Sequence, residues 1–218
     1  DGIIFVGGQL PEAQLVEFGQ KIPLIAVARE LEAMQDNCIY ADNFKAAYEL
    51  TRYLLDMGHR NIAHITATMH YQASVTDVAQ RLEGYTQALL DAGLTPDPRL
   101  IVEGDLRQQS GTIAVEMLLM QKHPFSAIFA ANDQMAFGVR LGLYRRGIRV
   151  PDDVSLVGFD DEPTAAFMIP PLTTVRQPAS DMGRAAAKAI LDLIKEKPVE
   201  NHRFESQLIV RESVLRHR

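Results

Sequence analysis

The stretch Ala127-Ile128-Phe129-Ala130-Ala131-Asn132-Asp133-Gln134-Met135-Ala136-Phe137-Gly138 sets the pattern for the whole chain. An unbroken apolar run suits a parallel strand covered on both faces. Two polar residues end it, and a helical pattern follows. In open parallel sheets, ligands sit beyond the carboxyl ends of the strands, where loops and helix starts supply donors and acceptors. Asn132-Asp133 falls at such a place, and an asparagine can both donate to and accept from a hydroxyl-bearing ligand. The pair also has a plainer reading, in which Asn132 ends the strand and Asp133 caps the next helix.

The same alternation extends in both directions. Strands are expected at Ile3–Val6, Pro23–Val27, Cys38–Ala41, Ile62–Thr66, Leu100–Val102, Ala127–Ala130 and Val154–Phe159. Between them lie helical stretches with legible ends. Asp42 is placed to cap a helix whose apolar face includes Phe44, Ala47, Tyr48, Leu54 and Leu55 and which closes at Gly58. Val78, Leu82, Tyr85 and Leu89 repeat at helical spacing before Gly93, and further helices are expected near Gly111–Gln121, Asp133–Arg146 and Ala179–Lys195. Strand alternating with helix means an α/β fold with a mostly parallel sheet. At 218 residues, one large sheet and two smaller lobes both fit.

Composition narrows the function. The formal charge is −6, with the cations scattered, so this segment is not built to grip phosphates. Cys38 is the only cysteine, which excludes an internal disulfide and any paired-cysteine metal or redox motif; a packed apolar role suits it. The chain opens on Asp1-Gly2-Ile3-Ile4-Phe5-Val6, which reads as a buried strand rather than a signal peptide, and no apolar run is long enough to span a membrane. Phosphate-loop, dinucleotide-turn, nucleophile-elbow and HExxH motifs are all absent, and the six histidines never fall at i, i+4 spacing. Neither catalysis nor a metal or organic cofactor is expected.

Two further positions join Asn132 as ligand candidates. Asp160-Asp161 follows the strand expected over Val154–Phe159; it is either a hydrogen-bond acceptor for a ligand or a turn. Arg81, read as opening the turn before Gly84-Tyr85, is either a ligand donor or part of a solvated helix face.

Taken in order, five segments resemble the LacI/GalR family of bacterial regulators. They are Gly58-His59-Arg60-Asn61-Ile62-Ala63, Arg81-Leu82-Glu83-Gly84-Tyr85, Ala131 to Gly138, Val150-Pro151-Asp152-Asp153-Val154 to Asp161, and Pro170-Pro171-Leu172-Thr173-Thr174 to Pro178. The resemblance implies a type I periplasmic-binding-protein architecture, with two doubly wound parallel-sheet lobes joined by three crossovers. It implies a first lobe of residues 1–41 plus 175–205, lacking its N-terminal part. A second lobe takes 42–174 plus 206–218, and the DNA-binding headpiece lies outside this chain.

Ligand roles follow from the same resemblance. Arg81 matches an arginine that hydrogen-bonds effector hydroxyl or carboxylate groups, and Asn132 and Asp160 match a polar pair that fixes hydroxyls. Gln177 matches a residue near the pocket at a crossover. Asp77 occupies a place often held by a small hydroxyl residue, and also stands at i, i+4 to Arg81 as a helix salt bridge would. Two departures stand out. Ala28 replaces a pocket aspartate, leaving one acceptor fewer or passing that role to Arg29, and Leu106 replaces an aromatic. Met69, His70 and Tyr71, within the long segment Thr66–Val78, are placed to line the cleft mouth.

The function implied is a cytoplasmic, homodimeric transcription regulator, a repressor whose core binds a sugar or sugar derivative and whose headpiece binds operator DNA. The alternative is a periplasmic sugar-binding protein of an uptake system.

Overall fold

A computed structural model describes residues 1–7, 10–67 and 77–217. Its strands are β1 (Ile3–Val6), β2 (Leu24–Val27), β3 (Cys38–Ala41), β4 (Ile62–Ala67), β5 (Ile101–Gly104), β6 (Ala127–Ala130), β7 (Ser155–Val157), β8 (Thr174–Arg176), β9 (His202–Phe204) and β10 (Gln207–Ile209). Its helices are α1 (Glu12–Gly19), α2 (Asn43–Asp56), α3 (Asp77–Asp91), α4 (Gln108–Met120), α5 (Asp133–Arg145) and α6 (Ala179–Ile194).

The chain divides into two compact units, and each holds one parallel sheet with helices on both faces. The first unit gathers Asp1–Asp42, Asp77 and Gln177–Ser206 around the order β1-β2-β3-β9. Strand alternation shows why this sheet needs two covers. Along β2, Leu24 and Ala26 turn to one face, with Leu15 of α1, Leu31 and Cys38. Ile25 and Val27 turn to the other, with Met182, Ala186, Ala189 and Ile190 of α6. Those α6 positions recur at three- and four-residue intervals, the stripe an amphipathic helix buries. At the edge of the sheet, β1 leaves Ile3, Ile4 and Val6 exposed.

The second unit, containing residues 43–67, 78–176 and 207–217, has the order β5-β4-β6-β7. Ala127 and Phe129 of β6 face Leu50, Leu54, Tyr85 and Leu89 of α2 and α3. Ile128 and Ala130 face Val115, Leu118, Val139 and Leu143 of α4 and α5. The latter two helices approach closely at Gly111 and Gly138. A Cβ on Gly138 would lie 1.8 Å from the Gln108 carbonyl oxygen, so the backbones could not keep this separation with a side chain there.

Several expectations need correction. On α2 the expected Ala47, Leu54 and Leu55 are buried with Ala46, Leu50 and Thr51, and Tyr48 packs against the same core, but Phe44 is exposed. Gly58 does end the segment, at φ +94, a conformation open to glycine at little cost. Asp42 precedes α2, and its carboxylate pairs with Arg203 at 2.6 Å. The strand expected over Val154–Phe159 is shorter, and its continuation pairs through single bridges to the segment containing β8. α1 and the short strands β8 and β9 carried too few residues to show a period. The expectation for Met69, His70 and Tyr71 lies outside the described residues.

Candidate functional site

Two of the candidate residues, Arg81 of α3 and Asp160 beyond β7, meet near the carboxyl end of β6, where Asn132 follows the Ala131 that Arg81 bonds. Arg81 lies within α3, not at a turn, and is only 5% exposed, which removes the reading as a solvated helix face. Its guanidinium is held on several sides. Nε donates to Asn43 Oδ1 at 2.9 Å and Nη1 to the Ala131 carbonyl at 2.6 Å. The Phe159 ring centroid lies 3.9 Å from Cζ, a cation–π contact. Nη2 is 3.6 Å from Asp160 Oδ1, an ion pair longer than a hydrogen bond. Gly84 allows this helix to sit close to α2, since a Cβ there would approach the Phe44 carbonyl oxygen to 2.4 Å.

Asp160 is the more open partner, with its side chain 31% exposed. Its backbone has φ +113 and that of Asp161 has φ +55, while its N–H donates to the Val175 carbonyl at 2.8 Å. Leu106, beyond β5, also has a positive φ, at +67. Such conformations are unfavourable for residues with a Cβ and persist where surrounding structure enforces them, often at ligand sites.

Asn132 reaches the network through its neighbours. It is the N-cap of α5: Oδ1 accepts from the Met135 N–H at 2.9 Å, and Nδ2 donates to the Leu106 carbonyl at 3.0 Å. The cap is therefore Asn132 rather than Asp133. Asp133 is fully buried, with Oδ1 accepting from the Thr174 hydroxyl at 2.7 Å and Oδ2 from the Glu162 N–H at 2.8 Å. Burial pushes its carboxyl up to about 7; the two hydrogen bonds oppose that shift, and the nearby charges of Asp160 and Glu162 add to it.

Asp77 and Gln177 group with the first unit instead. Asp77 is the first residue of α3, and Gln177 follows β8, its carbonyl accepting from the Ala179 N–H. In that unit Ala28, beyond β2, has φ +56, and the buried Arg29 donates through Nη1 to the Leu10 carbonyl at 2.6 Å. Sequence reasoning passed over Asn43, whose only signal was polarity beside Asp42 at a helix start. It also passed over Phe159, which looked like one more strand residue.

Residues 51–214 match the family described as the periplasmic binding protein-like domain. The chain is similar to the HTH-type transcriptional repressor CytR of Escherichia coli strain K12, 33% identical over 98% of this chain and 62% of the relative's length. It therefore spans about three-fifths of that relative. Among solved structures, it resembles a sugar-binding transcriptional regulator of the LacI family from Escherichia coli complexed with phosphate. The TM-score is 0.89 at 28% identity, covering 99% of this chain and 77% of the other. A LacI family regulator from Enterococcus faecium with bound ribose gives 0.87 at 27% identity, covering 100% and 81%. With the family match, the strand orders and the ordered motifs in agreement, the chain belongs to the periplasmic binding protein-like domain family, in its LacI/GalR form.

Proposed function

We propose that this chain is the effector-binding and dimerisation core of a bacterial transcription regulator, a repressor that senses a sugar or sugar derivative in the cytoplasm. The observation that carries the reading is the juxtaposition of a buried arginine and a more open carboxylate, Arg81 and Asp160, beyond the strand ends. A hydroxyl accepts from one and donates to the other. Asn132, next in the chain to the Ala131 carbonyl that Arg81 holds, is part of the proposed ligand set, as are Asp77 and Gln177. The lobes are taken as 1–41 plus 175–205 and 42–174 plus 206–218, a reading supported by the two compact units except that Asp42, Asp77, Val175, Arg176 and Ser206 group the other way. Neighbouring regulators described as sugar-binding or holding ribose support the ligand class. Operator DNA is assigned to a headpiece outside this chain, because the chain is acidic and CytR is described as an HTH-type repressor of greater length. Ligand is expected to leave chemically unchanged, as from a sensor.

The dimer face is placed on α4 and α5. Met120 and Tyr144 are 78% and 70% exposed, and Ile113, Met117 and Leu141 are also exposed. Beside them Phe167 and Ile169 are each 83% exposed, with the Ile169 carbonyl accepting from Arg140 of α5. Exposed apolar side chains concentrated on two packed helices support an association surface there, and homodimers are the commonest soluble assembly. Sedimentation of the intact protein should show a dimer that Met120→Glu with Tyr144→Glu converts to monomer; a wild-type monomer at micromolar concentration would refute this placement. Calorimetric titration with ribose and other neutral sugars tests the site. Arg81→Ala should abolish binding that the wild type shows, and undiminished binding would remove Arg81 from it.

A further inference from the structure

The hydrogen bond from Arg81 to Asn43 bears on what kind of ligand this site accepts. Asn43 is the first residue of α2, is fully buried, and places Oδ1 2.9 Å from Arg81 Nε. A guanidinium recognises carboxylate or phosphate best by offering two parallel N–H groups along one edge. One such edge is Nε with Nη2, and Asn43 occupies its Nε–H. The other is Nη1 with Nη2, and the Ala131 carbonyl accepts from Nη1 at 2.6 Å. The Phe159 ring, 3.9 Å from Cζ, covers one face of the group. What remains is the second hydrogen of Nη1 and those of Nη2, which lies 3.6 Å from the carboxylate of Asp160. A donor beside an acceptor suits a neutral hydroxyl, which can use both. An anionic oxygen at the same point gains one bond from Nη2 and meets the Asp160 charge.

Resting on the reading of Arg81 and Asp160 as an effector site, we infer that Asn43 is a positioning and specificity residue: by engaging Arg81 Nε it blocks the Nε–Nη2 fork and biases the site toward neutral hydroxyl-bearing ligands over carboxylates and phosphates.

The test uses the full-length protein labelled with 15N-arginine. The Arg81 Nε–H signal, identified by its disappearance in Arg81→Lys, should exchange slowly with water in the wild type. Asn43→Ala should lose that protection, while Asn43→Asp, which keeps an acceptor oxygen, should retain it. Equal protection in Asn43→Ala and wild type overturns the positioning role whatever happens to the melting temperature. Titration with neutral sugars and their phosphate esters reads the specificity. The wild type should prefer the neutral members, and Asn43→Ala should move the affinity ratio about ten-fold toward the phosphates, roughly the worth of one charge-assisted hydrogen bond. An unmoved ratio, or a wild-type preference for phosphates, overturns the specificity role. Failure of every neutral sugar to bind counts against the effector-site reading itself, and the exchange measurement still decides Asn43.

Discussion

Beyond β6 the pair Asn132-Asp133 is built into the fold. Asn132 caps α5, and Asp133 is buried between the Thr174 hydroxyl and the Glu162 N–H. Beyond β7 the pair Asp160-Asp161 divides its roles. The Asp161 side chain is 6% exposed and pairs at 2.6 Å with both Arg176 and Arg211, whereas Asp160 is 31% exposed and lies near Arg81. Two polar pairs of similar chemistry at equivalent points of one sheet thus take different work. The difference lies in partners supplied from elsewhere in the chain. Arg211 ties the C-terminal segment to Asp161, and Thr174 ties β8 to Asp133. Where such partners converge and exclude water, a strand-end carboxylate becomes structure; Asp160 stays the more exposed of the two.

The largest effect should come from removing the structural member of the second pair. Asp161→Ala leaves Arg211, whose side chain is 17% exposed, without its carboxylate partner. Breaking a buried pair costs roughly 3–5 kcal/mol. Because Arg176 is half-exposed and solvent compensates it, the lower end, about 3 kcal/mol, is expected in urea unfolding. A loss below about 1 kcal/mol would show that Asp161 is no more structural than its neighbour.

The converse substitution sharpens the contrast. Asp160→Asn keeps the shape, tolerates the positive φ better than most residues, and removes the charge. It should weaken binding of a neutral sugar by roughly ten- to a hundred-fold, the worth of a hydrogen bond to a charged group. Stability should change by less than about 1 kcal/mol. If instead Asp160→Asn melts early and binds normally, the two aspartates have the same kind of role.

A third test uses pH, because the buried carboxyl of Asp133 has a counterpart in the same unit. His64 of β4 is fully buried, stacked on Tyr85 at 4.9 Å and bonded through Nδ1 to the Phe129 carbonyl. Burial lowers its pKa to about 3; the backbone bond opposes this, and the Arg81 charge adds to it. Its folded value lies below the unfolded one, so its contribution to stability is present above about 6.5 and is lost as pH falls toward 3. For Asp133 the folded value, about 7, lies above the unfolded one. Its contribution is present below about 4 and is lost as pH rises through 7. Between about pH 4 and 6.5 the two slopes oppose each other. In Asp133→Asn only the histidine slope remains of the two, so stability should fall by about 1.4 kcal/mol per pH unit below pH 6.5, which the wild type should not show to that extent. Parallel profiles for the two proteins would mean that Asp133 is ionised throughout.

The smallest effect is expected at the cap. Asn132→Ala should cost about 1 kcal/mol, the usual worth of an N-cap side chain, and Asn132→Asp should recover most of it through the Met135 N–H. Any loss of sugar affinity in Asn132→Asp would then reflect the missing Nδ2 donor rather than the cap.

What the sequence determined by itself was whatever depends on local order. Apolar runs such as Ile62–Thr66 and Ala127–Ala130 became central strands. Gly58 and Gly93 ended helices, at φ +94 and +74. Asn132 and Asp160 were legible as candidates because strand ends in a parallel sheet are where ligands gather. Only tertiary structure could show that Arg81 is buried against Phe159 and Asn43, that Asn132 rather than Asp133 is the cap, and that Asp161 belongs to Arg176 and Arg211. It alone left Phe44 exposed at the start of α2 while Ala47, Leu54 and Leu55 were buried. The physical reason is common to all these cases. A strand or a helix end is set by neighbours a few residues away, so its period can be read along the chain. The role of a polar side chain is set by which donors and acceptors converge on it and by how much water they exclude, and those partners lie 38 residues away for Arg81 and Asn43 and 50 for Asp161 and Arg211.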